Sequence, residues 1–87
     1  MAEFLVELYV ARSDGDAIAE RARAAAEAVS RSGRRVRCVS SIFVPEDETC
    51  FVLYEADTLD DVRDAATRAG LVFERVAVAH ATGAAKH

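Results

Sequence analysis

The sequence predicts one α+β domain whose elements follow the order strand, helix, strand, strand, helix, strand. The first supporting observation is the acidic turn at residues 45–48. Strand-like runs rich in β-branched and aromatic residues flank it, which is typical of a β-hairpin. The second is an Ala-rich, helix-favouring segment before the hairpin and an amphipathic segment after it. The third is a further strand-like run at each end of this order.

The first strand is predicted over residues 3–10, where alternation separates two faces. One face carries Phe4, Val6, Leu8 and Val10, and the other carries Glu3, Leu5, Glu7 and Tyr9. Residues 13–16 supply a turn and a helix cap, and a helix is predicted over residues 17–30. Its small apolar stripe predicts close packing on a sheet and consists of Ile18, Ala22, Ala25, Ala26 and Val29. Gly33 is expected to cap its C-terminus.

The remaining elements are the hairpin, a second helix and a last strand. The hairpin strands are predicted over residues 36–44 and 49–55. Thr58 is the expected N-cap of the second helix, with Asp61 at the capping-box position. The apolar face of this helix is formed by Leu59, Val62, Ala65, Ala66 and Ala69. Gly70 ends the helix, and the last strand is predicted over residues 71–79.

This order of elements is the split β-α-β pattern of the ferredoxin-like fold. Right-handed crossovers place both helices on one face of a four-stranded antiparallel sheet. We therefore expect a single domain over residues 1–79 and a flexible C-terminal tail over residues 80–87. The other face of the sheet is left bare although it includes Leu5 and Tyr9, so we expect a homodimer through that face.

Composition and charge narrow the classes of partner. The formal net charge of −4 argues against nucleic-acid binding, because nucleic-acid-binding proteins normally present a basic face. No apolar run reaches the roughly 18 residues that a membrane span needs, and no signal peptide is evident. We therefore expect a cytoplasmic protein with no membrane partner. Arginines cluster over residues 31–37 and carboxylates over residues 46–64, and both clusters are expected to be solvated faces.

The two cysteines are predicted to be reduced and half-buried. If the hairpin closes around residues 45–48, Cys50 lies near Phe43. Cys38 then lies about five residues further along the ladder, roughly 16 Å away at the rise of a strand. A disulfide requires Cα atoms within about 7 Å of each other, so these two cysteines are not expected to form one.

Three stretches of the chain together carry a family resemblance: residues 1–10, residues 41–56, and residues 62–71 followed by 73–76. They resemble a family of small actinobacterial nickel-binding proteins, part of a larger domain family of unknown function with a ferredoxin-like fold. The resemblance covers nearly the whole chain apart from the Ala-rich helix and the tail. It implies a homodimer that binds nickel at its surface and has no established catalytic activity. It brings no position-by-position set of metal ligands.

The candidate metal ligands are His80, His87, Glu46, Asp47 and Glu48. Nickel takes imidazole, thiolate and carboxylate ligands, and His80 and His87 are the only histidines. They are interpreted either as exposed tail residues or as part of a shallow site completed by carboxylates or by a second subunit. The carboxylates of residues 46–48 form either a solvated turn or a partial ligand set, since a tight turn cannot aim all three inward.

The function expected from these observations is binding of nickel or a related divalent metal for sequestration or sensing. Two alternatives remain open. One is a protein-interaction or regulatory module without metal, whose acidic surface faces a basic partner. The other is a cofactor-free enzyme of the dimeric α+β barrel type. We expect no enzyme, because the mid-strand candidates for an acid or base are limited to Glu7, Tyr9, Tyr54 and Glu55. No nucleotide-binding or hydrolase motif occurs either.

Overall fold

Four strands form one antiparallel sheet in this protein, and two helices cover one of its faces. The computed structural model describes residues 2–11 and 14–80. Its elements are β1 (Ala2–Tyr9), α1 (Gly15–Arg31), β2 (Val36–Val44), a 3-10 turn (Pro45–Asp47), β3 (Thr49–Ala56), α2 (Leu59–Arg68) and β4 (Phe73–Ala79). The predicted order of elements is confirmed. Of the predicted tail, only His80 lies within the described residues.

The strands lie in the order β2-β3-β1-β4, and every neighbouring pair is antiparallel. The N-terminal strand is therefore central, between the second hairpin strand and the last strand. This arrangement confirms the ferredoxin-like fold. No helix among the described residues is long and apolar enough to cross a membrane.

The core lies between the sheet and the helices. The predicted inner face of β1 is confirmed, since Phe4, Val6, Leu8 and the following Val10 are all buried. The inner alternation of β3 is buried too and consists of Cys50, Val52, Tyr54 and Ala56. Ile18, Ala22, Ala26 and Val29 of α1 and Val62, Ala65 and Ala66 of α2 face these strands. Small alanines thus occupy much of the face that each helix presents to the sheet.

The ends of α2 show how local sequence sets its limits. Thr58 is the N-cap, and its hydroxyl accepts a hydrogen bond from the Asp61 backbone N–H at 3.2 Å. Gly70 adopts a left-handed conformation with φ +77°, and the Leu71 N–H donates to the Ala66 carbonyl at 3.1 Å. Leu71 is thus buried in the helix end. The prediction that β4 begins at residue 71 is therefore wrong by two residues.

Strand β2 contains an irregularity between Cys38 and Ser40, where one extra residue shifts the pairing with β3. Cys38 lies opposite Tyr54 and Cys50 lies opposite Phe43, as the closure of the hairpin predicted. Both cysteines are free. Cys38 is half-buried as expected, whereas Cys50 is fully buried in the core.

Candidate metal centre and charged surfaces

Hydrogen bonds hold the backbone of the hairpin turn in place, whereas its carboxylates lie in solvent. The Glu48 N–H donates to the Pro45 carbonyl at 3.1 Å, and Glu48 itself is left-handed with φ +50°. The Glu48 carbonyl accepts from the Val10 N–H at 2.8 Å, which joins the turn to the end of β1. The side chains of Glu46, Asp47 and Glu48 are exposed, so the turn presents three acidic groups without gathering them.

His80 is exposed and lies at the opposite end of the sheet from this turn. It follows β4, whose last residue, Ala79, pairs with Glu3 near the start of β1. The turn adjoins the other end of β1, where Tyr9 pairs with Thr49. About six residues of β1 separate the two ends, or roughly 20 Å at the rise of a strand. One chain therefore does not bring His80 and the acidic turn together, and His87 lies outside the described residues.

Metal donors do not converge within the described part of one chain. The residues that the structure describes contain no group of three or more His, Cys, Asp or Glu side chains that could hold a metal ion. The thiols of Cys38 and Cys50 do not supply the missing ligands. A thiol binds metal as its thiolate, and burial raises the pKa of both thiols. The described part of a single chain thus does not form a nickel centre. Further donors would have to come from a second copy or from residues outside the described part.

The register of the sheet reveals one donor that sequence reasoning did not connect with His80. Glu3 pairs with Ala79 across β1 and β4, so its carboxylate belongs to the same end of the sheet as His80. The alternation in β1 assigned Glu3 to the outer face, but no sequence signal aligned the first and last strands. Glu3 and His80 therefore lie at the same end of the sheet, which only the pairing of β1 with β4 shows.

The arginine and carboxylate clusters of the sequence partly neutralise each other. Arg34 donates to Asp61 at 2.8 Å and to Asp64 at 2.6 Å, and these hydrogen bonds raise the pKa of Arg34. Arg35 lies 3.5 Å from Asp57. The Asp61 carboxylate thus accepts a hydrogen bond from Arg34, while the Asp61 backbone N–H donates to the hydroxyl of the capping Thr58. Most members of both clusters are exposed, as the expectation of solvated faces requires, but the arginines near the start of β2 also pair with the start of α2.

The outer face of the sheet has an apolar centre between ion pairs. Leu5, Phe51 and Leu53 are half-buried there, although no described element covers them. Ile42 pairs with Phe51 on the same face and is 60% exposed. Two further ion pairs flank this centre: Arg75 with Glu7 at 2.9 Å and Arg37 with Glu55 at 2.7 Å. This surface, the outer sheet face, has the composition of a protein interface.

Tyr54 is the exceptional polar residue of the core. Its side chain is fully buried opposite Cys38, and its hydroxyl has no hydrogen-bond partner among the described residues. Burial raises the pKa of Tyr54 far above its ordinary value. Such a phenol stays protonated and does not serve as a base at neutral pH.

Fold and surface together define a small ferredoxin-like α+β protein with an apolar outer sheet face and dispersed, exposed metal donors. Two solved structures share this architecture. The crystal structure of SCO4226 from Streptomyces coelicolor A3(2) matches with a TM-score of 0.75 and 19% identity, covering 94% of this chain and 100% of that one. The NMR structure of the heavy metal binding protein TM0320 from Thermotoga maritima matches with a TM-score of 0.51 and 17% identity, covering 88% and 98%.

The family assignment comes from the sequence. A family model described as "Nickel responsive protein SCO4226-like" matches residues 4–78, and the chain belongs to this family. The match covers all six helices and strands except the first two residues of β1 and the last residue of β4. No curated protein matches the chain. The resemblance to a nickel-binding family that the sequence indicated is confirmed.

Proposed function

We propose that this protein binds nickel or a related divalent metal for sequestration or sensing, through surface sites of a homodimer. Membership of a nickel responsive family over residues 4–78 carries the proposal. The name of TM0320, a heavy metal binding protein on the same architecture, supports metal binding more generally. We assign the protein no catalytic role, since neither the buried phenol of Tyr54 nor the buried thiol of Cys50 is poised for proton transfer.

We assign His80 as the principal ligand. Imidazole is the strongest nickel donor available here, and His80 is exposed at the end of β4. Glu3 is the carboxylate that the β1–β4 register supplies to the same end. Two donors are too few for the geometries that nickel prefers, so the remaining donors belong to His87 or to a second subunit.

The homodimer in this proposal uses the outer sheet face. Its apolar centre of Leu5, Phe51 and Leu53 is half-buried before any partner binds, and Ile42 and Tyr9 add exposed apolar area. A stable interface buries about 800 Å² on each partner, and the open face of a four-stranded sheet can supply this. The charged side chains of this face are already paired within one subunit, as Arg75–Glu7 and Arg37–Glu55. Packing two such faces together would therefore not bury these charges without a partner.

Calorimetric titration of tag-free protein with nickel, zinc, copper and cobalt tests the proposal. We expect nickel binding that weakens at least about ten-fold in His80→Ala, the effect of losing about 1.4 kcal/mol of binding free energy. The matched control neutralises the acidic turn at the far end of the sheet: Glu46→Gln, Asp47→Asn and Glu48→Gln together. It is expected to bind nickel like the parent protein. Absence of binding to all four metals would eliminate the proposed function.

The same samples distinguish the two ends of the sheet. If the triple turn variant loses nickel and His80→Ala keeps it, the acidic turn is the site and the assignment to His80 is wrong. Light scattering at micromolar concentration tests the dimer, and Leu53→Glu is expected to convert it to monomer. A parent protein that is already monomeric contradicts the dimer. Sedimentation with excess nickel then shows whether the metal also links dimers, as surface sites built from carboxylates and His80 would allow.

A further inference from the structure

A groove lies between α1 and the edge strand β2. Its main cavity has a volume of about 550 Å³ and contacts both elements. The residues that define this α1–β2 groove are Arg23, Glu27, Ser30, Arg31, Arg37 and Cys38. A second hollow of about 320 Å³ continues it toward Arg34 and Arg35 and shares Ser30, Val36 and Arg37 with the first. The groove therefore runs along the first three residues of β2 and the loop that precedes them.

The charge of this groove is opposite to that of the protein. The chain carries a formal net charge of −4, yet five arginines and one carboxylate, Glu27, line the groove. Arg34, Arg35 and Arg37 are already paired with carboxylates, so the unbalanced positive charge is that of Arg23 and Arg31. Arg31 has no ion-pair partner among the described residues. Arg23 has only Glu20 at 3.5 Å, in a pair that is largely exposed and so contributes little. These two guanidinium groups are available to an anionic ligand.

The groove also borders unpaired backbone. Strand β2 lies at the edge of the sheet, and no described strand pairs with its outer side. It is nine residues long, and although the irregularity between Cys38 and Ser40 interrupts it, the unpaired backbone on either side is a template for another strand. On the opposite edge strand, β4, Arg75 is already paired with Glu7.

We propose that the α1–β2 groove binds an extended acidic peptide segment of a partner protein, which adds as a strand to β2. Alternate side chains of an added strand point to one face of the sheet. On the helix-covered face they enter the groove, where carboxylates meet Arg23 and Arg31. A free phosphate fits this site less well, because it uses neither the length of the groove nor the unpaired backbone of β2. This inference is independent of nickel binding.

Fluorescence anisotropy with a labelled peptide of alternating glutamate and valine tests the proposal on the full chain. We expect saturable binding that weakens about 5- to 20-fold in Arg31→Glu, because one ion pair is replaced by repulsion. Arg63→Glu, on the exposed surface of α2, is the matched control with the same change in net charge. The same peptide N-methylated at every residue is expected not to bind, since neither of its edges can then donate the hydrogen bonds of a strand pair.

Several results would overturn the proposal. They are no binding of the glutamate peptide, equal weakening by Arg63→Glu, or undiminished binding of the N-methylated peptide. Competition by millimolar inorganic phosphate as effective as that by unlabelled peptide would assign the groove to free anions instead. Hydrogen exchange of the unaltered protein supplies a readout that needs no variant. Bound peptide is expected to slow exchange at amides of β2 and leave those of β4 unchanged, whereas protection confined to β4 contradicts the proposal.

Discussion

Replacing Tyr54 by Phe is expected to stabilise this protein, although it alters one of the largest side chains of the core. The Tyr54 hydroxyl is buried without a hydrogen-bond partner among the described residues. Such a group costs about 1–3 kcal/mol, because it has lost its bonds to water. Removing the oxygen leaves a void of roughly 10–15 Å³, which costs about 0.3 kcal/mol. The net expectation is a gain of about 1 kcal/mol, or about 4–8 °C in Tm for a domain of this size.

The pH dependence provides a second, independent signature of Tyr54→Phe. Because burial raises the pKa of Tyr54 in the folded state, the native protein holds this proton more tightly than the unfolded chain. The stability linked to the proton is complete below the unfolded pKa of 10.0 and declines as pH rises above it. The loss is about 1.4 kcal/mol for each pH unit. The Phe variant lacks this loss, so its advantage over the parent protein widens above pH 10.

Urea unfolding at pH 7 and at pH 10–11 measures both effects. The control is Tyr9→Phe, which deletes the same atom from a side chain that is 65% exposed and is expected to change stability by less than about 0.5 kcal/mol. Destabilisation by Tyr54→Phe of more than about 1 kcal/mol would refute the reasoning, because it would mean that the hydroxyl has a stabilising partner. Parallel pH profiles for the variant and the parent would refute the assigned cause of the pKa shift.

Two further substitutions test the local structure. Thr58→Ala removes the N-cap acceptor of α2 and is expected to lower the free energy of unfolding in urea by about 1 kcal/mol. Thr58→Ser keeps a hydroxyl acceptor and is expected to retain most of the stability of the parent protein. Equal stability of the two variants would contradict the role of Thr58 as the cap. Gly15→Ala places a Cβ 2.6 Å from the Phe43 ring and is expected to cost about 1–3 kcal/mol, despite the better helix propensity of Ala. The same change in a Phe43→Ala background is expected to cost little, and an undiminished cost there would show that the ring is not the obstacle.

The features that could be predicted from the sequence are those that depend on residues close to one another along the chain. Alternation in β1 identified Phe4, Val6 and Leu8 as core, and the hydroxyl of Thr58 indicated the start of α2; both predictions are confirmed. The start of β4 was missed because an apolar Leu71 suits a strand and a buried helix end equally well. Gly70, the residue before Leu71, adopts a left-handed conformation, and this conformation places Leu71 at the helix end.

The surface was less predictable, because it depends on which distant segments meet. The arginines near the start of β2 could be counted in the sequence, but their pairing with Asp57, Asp61 and Asp64 required α2 to lie beside them. The same holds for the α1–β2 groove, which combines the end of a helix with an edge strand. Whether His80 and the turn carboxylates share a site depended on the register of β1 with both of its neighbours.

The central position of β1 also has a consequence for how the chain folds. Its partner on one side, β4, is the last strand in the sequence, so Phe4 meets Val78 only after nearly the whole domain has been connected. Contacts of such high sequence separation are made late and slow the folding rate, because loop entropy is lost before they form. Until β4 docks, β1 exposes an unpaired, apolar edge. We therefore expect the β2–β3 hairpin and its contacts with α1 to nucleate folding, and the protection of the β1 amides that face β4 to appear last.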